Sequence, residues 1–79
     1  MTLNLIKQHT AEEVTDMKPR ARLWGAIREQ GLTQAEFSRI VGDDPAIVSR
    51  IVTGQLIPSE LRKIRYAKAL NRTVEELFE

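Results

Sequence analysis

The sequence has 79 residues and no cysteine, 42% of its residues are apolar, and its formal charge is +1. A chain of this length fills one small core, which excludes a multidomain enzyme, and the lack of thiols excludes a disulfide framework or a thiolate metal site. Residues 18–72 hold eleven of the twelve basic residues but five of the eleven acidic ones, a distribution that suits a body binding a polyanion.

Residues 1–18 are predicted to form an N-terminal arm that precedes a folded domain over residues 19–79. Residues 2–7 alternate partly as a strand does, whereas Thr10 and Glu13 have the spacing that caps a helical turn. A lone strand needs another edge to pair with. We therefore expect the arm to be disordered or to pair with a second chain.

The first two predicted helices have clear start and stop signals. Pro19 suits a first helical turn, and Gly31 ends that helix. Thr33 and Glu36 form the T-x-x-E capping box of a second helix, which Gly42 ends in the left-handed conformation. Apolar residues at helical spacing predict the buried faces of these two helices: Leu23, Trp24 and Ile27 in the first, and Phe37, Ile40 and Val41 in the second.

A third helix is predicted only two residues after the second one ends. Asp44 and Pro45 are an N-cap and first-turn pair, and the helix runs to about Thr53 before Gly54 stops it. The tight connection requires the two helices to cross closely. Ser38 is small where they cross, and four apolar residues are expected to fill the angle between them: Phe37, Val41, Val48 and Ile51.

Two further helices complete the predicted domain. Ser59 caps the fourth helix and Asn71 ends it, while Thr73 and Glu76 repeat the capping box at the start of a short fifth helix. The fifth helix is expected to dock through its apolar residues and to end near Phe78. The residues expected to face the core are Leu61, Ile64, Ala67 and Leu70 in the fourth helix and Val74, Leu77 and Phe78 in the fifth.

The pattern of apolar, small and glycine positions over residues 34–53 is typical of a helix-turn-helix. Residues 34–42 (QAEFSRIVG), followed by residues 48–51 (VSRI) and Gly54, resemble the lambda-repressor-like domain of phage repressors, Cro proteins and their bacterial XRE-type relatives. The resemblance spans about Leu23 to Leu77. It implies an all-α fold of five helices, with the third helix in the DNA major groove and the N-terminus of the second near a phosphate.

Helical geometry selects the DNA-facing side of the third helix without reference to the family. Because Val48, Ile51 and Val52 share the buried face, the opposite side and leading end remain for contact. Arg50 is suited to a guanine edge or a phosphate, Ser49 to hydrogen bonding, and Pro45 with Ala46 to a thymine methyl group. The predicted base-contact residues are Pro45, Ala46, Ser49 and Arg50.

Phosphate contacts are expected at the start of the second helix and after the third. Thr33 and Gln34 lie where unpaired backbone N–H groups and the positive helix end favour a phosphate. For Thr53 and Gln55, on either side of Gly54, the resemblance implies backbone contacts, and a simple turn role remains the alternative.

Two features depart from the family pattern. Asp43 and Asp44 bring two carboxylates toward a polyanion, so the pair is structural, selective for a cytosine, or inhibitory. The loop over residues 55–58 contains no lysine or arginine. Other cations are therefore candidates for phosphate contact, and the sequence does not choose among Arg20, Arg22, Arg28, Arg62, Lys63 and Arg65.

These observations favour a sequence-specific DNA-binding regulator, expected to be a repressor that binds an inverted repeat of double-stranded DNA as a homodimer. The expected dimer surface is the fifth helix or the arm. One alternative is an antitoxin-type repressor whose arm binds a protein partner, and another is an adaptor that has lost DNA binding.

No catalytic set, cofactor site or metal site is expected. No apolar run approaches the roughly 20 residues of a membrane span, so a cytoplasmic, nucleoid-associated location is expected.

Overall fold

The computed structural model describes residues 18–79, and in this range the secondary structure is entirely α-helical. The arm predicted over residues 1–18 lies outside the described residues, apart from Lys18. The all-α prediction with five helices is confirmed for the described range. The helices are α1 (Ala21–Glu29), α2 (Gln34–Val41), α3 (Pro45–Val52), α4 (Glu60–Leu70) and α5 (Val74–Phe78).

The predicted helix starts are confirmed at four of the five helices. Both capping boxes are formed, with the hydroxyls of Thr33 and Thr73 each accepting from the backbone N–H three residues later. Asp44 accepts from the N–H of Ala46 at the start of α3, and Ser59 accepts from an N–H of α4. These caps satisfy helix N–H groups that have no partner within the helix.

The start of α1 was predicted two residues too early. Arg20, the N-cap, has non-helical dihedral angles, and its backbone N–H donates to the carbonyl of Val52 at 2.8 Å. This bond holds the chain in an extended conformation against the end of α3. The helix consequently begins at Ala21 rather than in the turn containing Pro19.

The core lies where all five helices meet. Tyr66 and Phe37 form its centre, with ring centroids 5.0 Å apart in an edge-to-face arrangement. Residues from every helix surround this pair, and α1 packs mainly against α5 while α2 packs against α3. The buried apolar residues are Leu23, Ala26, Ile27, Phe37, Val41, Val48, Ile51, Val52, Leu56, Tyr66, Ala67, Leu70 and Leu77.

The predicted buried face of α4 was wrong at its first two positions. Leu61 is 79% exposed and Ile64 is 43% exposed, while Ala67 and Leu70 are buried as predicted. A step of three residues falls about 60° short of a full helical turn. Leu61 and Leu70 are three such steps apart and therefore lie on opposite sides of the helix. Tyr66, rather than Leu61, occupies the core.

The same correction applies to Ile40 in α2, which is 57% exposed. The core-facing residues of this helix are Phe37, Ser38 and Val41, at spacing i, i+1 and i+4. Small, polar Ser38 is therefore buried at the crossing with α3, and Ile40 faces solvent. Among the helices of residues 18–79, none is long and apolar enough to span a membrane.

Candidate nucleic-acid interface

The tight turn between α2 and α3 brings the two helices into direct contact. Gly42 has a left-handed φ of 79°, and the N–H groups of Gly42 and Asp43 donate to the Ser38 carbonyl at 2.9 and 3.0 Å. The Ser38 hydroxyl is satisfied by the Ala35 carbonyl at 2.6 Å, so a polar side chain is buried at the crossing without an unpaired group. This arrangement gives α2 and α3 the geometry of a helix-turn-helix.

The outward side of α3 displays the four residues predicted to contact bases. Val48, Ile51 and Val52 are buried beneath the helix. On its other side the structure brings the four together: Pro45, Ala46 and Arg50 are exposed and Ser49 is half-buried. The exposed surface therefore runs from an apolar leading end to a hydroxyl and a guanidinium.

The start of α2 presents two of the predicted phosphate-contact residues. In the capping box, the N–H of Thr33 donates to Glu36 Oε1 at 2.8 Å and the N–H of Glu36 donates to Thr33 Oγ1 at 3.0 Å. Because the Thr33 hydroxyl accepts in this bond, its own hydrogen can point outward. The N–H of Gln34 lies in the first turn, where an anion is favoured, and its side chain is half-exposed.

Thr53 and Gln55, which follow α3, differ in whether their side chains are free to donate to a phosphate. The Thr53 hydroxyl donates to the Ser49 carbonyl at 2.9 Å, which engages its hydrogen within the protein. The side chain of Gln55 is exposed, while its N–H donates to the Arg50 carbonyl at 2.8 Å. Gln55 is therefore the better placed of the two to donate to a phosphate, since phosphate oxygens only accept.

Asp43 is the centre of a polar cluster that the sequence did not predict. Its carboxylate, whose side chain is 6% exposed, accepts from the Tyr66 hydroxyl at 2.8 Å. Arg62 Nε lies 3.1 Å and an Arg65 terminal nitrogen 3.4 Å from the same carboxylate. Burial, together with the hydrogen bond to Asp43, raises the pKa of the Tyr66 hydroxyl well above its ordinary value. This cluster ties α4 to the turn between α2 and α3.

Both carboxylates in the turn thus have structural partners. Arg65 also donates to the Val41 carbonyl at 3.3 Å, so it bridges the end of α2 and the turn. Asp44 caps α3 through the N–H of Ala46 at 2.8 Å. The charge of Asp43 is balanced by two guanidinium groups, which weakens its repulsion of a nearby polyanion. Three roles were considered for Asp43 and Asp44: structural, selective for a cytosine, and inhibitory. The contacts support the structural role.

Several cations considered for phosphate contact have contacts within the protein. Arg20 donates to the carbonyls of Ile51 and Leu56, at 2.6 and 3.1 Å, and so joins the chain before α1 to the end of α3 and the following loop. Lys63 Nζ lies 3.3 Å from Glu60 Oε2. The Arg28 guanidinium lies 5.8 Å from the centroid of the Trp24 ring. The exposed Arg22 remains a candidate for phosphate contact.

The signals for these contacts were only partly present in the sequence. Arg62, Arg65 and Tyr66 are close in sequence on one helix, which could have indicated a shared polar partner. That partner, Asp43, lies 22 residues before Arg65 and 23 before Tyr66, and only the crossing of the helices brings it close. No group of His, Asp or Glu side chains able to hold a metal ion occurs among residues 18–79.

A comparison with family models agrees with this geometry. The helix-turn-helix family model matches residues 26–77, which is most of the chain. The chain therefore belongs to this family of XRE, or lambda-repressor-like, helix-turn-helix domains, as the resemblance in the sequence indicated. The family is one of DNA-binding regulators, and this chain is a DNA-binding helix-turn-helix regulator. A search of curated proteins found no match.

Proposed function

We propose that this protein is a sequence-specific transcriptional repressor that binds an inverted repeat as a homodimer, with α3 of each copy in the major groove. The observation that carries the proposal is the outward side of α3, where Pro45, Ala46, Ser49 and Arg50 stand together opposite a buried face. A helix with one fully packed side and one exposed side of small and hydrogen-bonding residues is suited to enter a groove.

In this arrangement each group of residues has its own role. Arg50 reads a guanine edge, Ser49 bonds to a neighbouring base, and the apolar leading end of Pro45 and Ala46 packs on a thymine methyl group. Gln34, with the Thr33 hydroxyl, binds a phosphate at the start of α2. Gln55 supplies a second phosphate contact after α3, and Thr53 supports the helix end through its bond to the Ser49 carbonyl.

The experiment that tests the proposal is selection of binding sites from a random pool of duplex DNA with the purified protein. Recovery of an inverted repeat, bound with a steep dependence on salt, is the expected result, because each phosphate contact releases counterions. The spacing between half-sites reports the distance between the two recognition helices, expected to be about 34 Å or a multiple of it. No enrichment and no binding at low salt would overturn the proposal.

The structure bears differently on the two alternative functions, an adaptor and an antitoxin. The adaptor alternative depended on repulsion of DNA by Asp43 and Asp44, and the contacts of both carboxylates weaken that argument. The antitoxin alternative places a protein partner on the arm over residues 1–18, most of which lies outside the described range. A small toxin-like reading frame beside the gene would favour that alternative.

A further inference from the structure

Residues 18–20, just before α1, lie against the end of α3. The backbone N–H of Arg20 donates to the Val52 carbonyl at 2.8 Å, and its guanidinium nitrogen Nη1 donates to the Ile51 carbonyl at 2.6 Å. Both carbonyls lie in the last turn of α3, where carbonyl groups have no partner within the helix. A cation beside a helix C-terminus is also favoured by the helix dipole. Arg20 therefore caps α3, although it lies 31 residues before Ile51 in the sequence.

The same segment contacts the residues on both sides of Gln55. After Gln55, the Leu56 carbonyl accepts from Arg20 Nη1 at 3.1 Å. Before it, Gly54 is buried, and a Cβ at this position would overlap the backbone of Lys18. The side chain of Gln55 itself is exposed. An exposed amide is thus carried on backbone that is held at both of its neighbours.

The recognition helix supplies the other support for this loop. The N–H groups of Gln55 and Leu56 both donate to the Arg50 carbonyl, at 2.8 and 3.2 Å. In the proposed function, the side chain of Arg50 reads a guanine edge. The backbone of Gln55 is therefore held between α3 on one side and residues 18–20 on the other, which fixes its place relative to the base-contact residues.

We propose that Arg20 is a positioning residue for DNA binding, which places the Gln55 side chain against a phosphate beside the groove that α3 enters. This role rests on the proposed function, in which Gln55 supplies a phosphate contact. The loop over residues 55–58 has no lysine or arginine, so its contact depends on a neutral amide. A hydrogen bond weakens steeply with distance and angle, whereas a cation attracts a phosphate over several ångströms. A loop without cations therefore needs a well-fixed backbone.

Direct contact between Arg20 and a phosphate is the competing role, and it has different consequences. If Arg20 acts through Gln55, the losses of affinity from changing the two residues are not additive. The salt dependence of binding then keeps its slope, because an uncharged glutamine neutralises no phosphate. If Arg20 itself binds a phosphate, the two losses add, and its removal lowers the slope by about one.

The experiment is a double-mutant cycle with Arg20→Gln, Gln55→Ala and the double variant, using fluorescence anisotropy with a selected duplex. We expect about tenfold weaker binding in each single variant and about the same tenfold loss in the double variant, not a hundredfold loss. Arg72→Gln makes the same change in charge at a residue paired with Glu29, and should bind nearly as wild type. Stoichiometric titration counts active protein, so partial unfolding does not enter the comparison.

A DNA-free measurement tests the support of the loop itself. Hydrogen exchange of the Gln55 and Leu56 amides should be at least about tenfold faster in Arg20→Gln than in wild type, and unchanged in Arg72→Gln. Should Arg20→Gln not fold, Arg20→Lys runs both measurements, because it keeps the charge but lacks the planar guanidinium.

Several results would overturn the role of Arg20. These are additive losses, wild-type affinity in either single variant, unchanged exchange of the two loop amides, and a salt slope lower by about one than that of Arg72→Gln. A wild-type protein that binds no duplex would instead refute the proposed function.

Discussion

The Tyr66 hydroxyl on α4 donates a 2.8 Å hydrogen bond to the carboxylate of Asp43, in the turn that precedes α3. The phenol ring also packs edge-to-face on Phe37 of α2. A single side chain therefore contacts both α2 and the turn that leads into α3. The angle between α2 and α3 is consequently fixed from α4 as well as by the turn itself.

Replacement of Asp43 should destabilise the protein. Asp43→Asn keeps the size of the side chain but removes the negative charge that balances Arg62 and Arg65, whose side chains are partly shielded from solvent. We expect a loss of about 2 kcal/mol in the free energy of unfolding, measured by urea denaturation. Asp44→Ala, which removes a helix cap, is the comparison and should lose about 1 kcal/mol. Equal stability of wild type and Asp43→Asn would show that the charge of Asp43 contributes nothing.

The raised pKa of Tyr66 predicts a loss of stability at alkaline pH. The folded protein holds the phenol proton more tightly than the unfolded chain, whose tyrosine titrates near its ordinary value of about 10. This contribution is fully present below pH of about 10 and decreases as the pH rises above it, because only the unfolded state then releases the proton.

Tyr66→Phe provides the control for that pH dependence. The variant should be less stable than wild type at neutral pH, since Asp43 loses a donor, and the difference between the two proteins should shrink above pH of about 10. Tyr66 is the chain's single tyrosine, so the ultraviolet absorbance of tyrosinate reports its titration directly. Titration of the folded protein at the ordinary tyrosine value would contradict the prediction.

Two glycines with similar backbone angles should differ in their tolerance of alanine. Gly42 has a φ of 79° and open space where a Cβ would lie, so Gly42→Ala should cost about 1 kcal/mol through backbone strain alone. At Gly54 the φ is 85°, and a Cβ would overlap the backbone of Lys18. Gly54→Ala should therefore cost about 3 kcal/mol or more. Thermal unfolding of the two variants in parallel would decide the point, and equal losses would contradict the close approach of Lys18.

Arg50 should contribute to DNA affinity more than another exposed arginine. Arg50→Ala is expected to weaken binding to a selected site by about 1 to 3 kcal/mol and to relax the preference at one base position. Arg72→Ala makes the same change in charge, at a residue paired with Glu29, and should have a smaller effect. Fluorescence anisotropy with variant duplexes measures both. A loss that is uniform across sequences would instead make Arg50 a phosphate contact.

The sequence by itself determined the local features of this protein. Caps such as Thr33 with Glu36, and stops such as Gly42, act between residues a few positions apart, so the signals lie within one short stretch of sequence. The helix-turn-helix was predictable for the same reason. So was the division of α3 into a buried side and an exposed side, because residues 45–53 show a clear helical period.

Only the tertiary structure decided which other residues reach one another. The partners of Asp43 come from α4, and Arg20 reaches carbonyls more than thirty positions later, so both depend on how the helices cross. The exposure of Leu61 likewise follows from the angular position of Tyr66, Ala67 and Leu70 against the core. Apolar residues spaced three apart shift progressively around the helix, so they cannot all face the core. Which of them are buried is determined by the packing of the neighbouring helices.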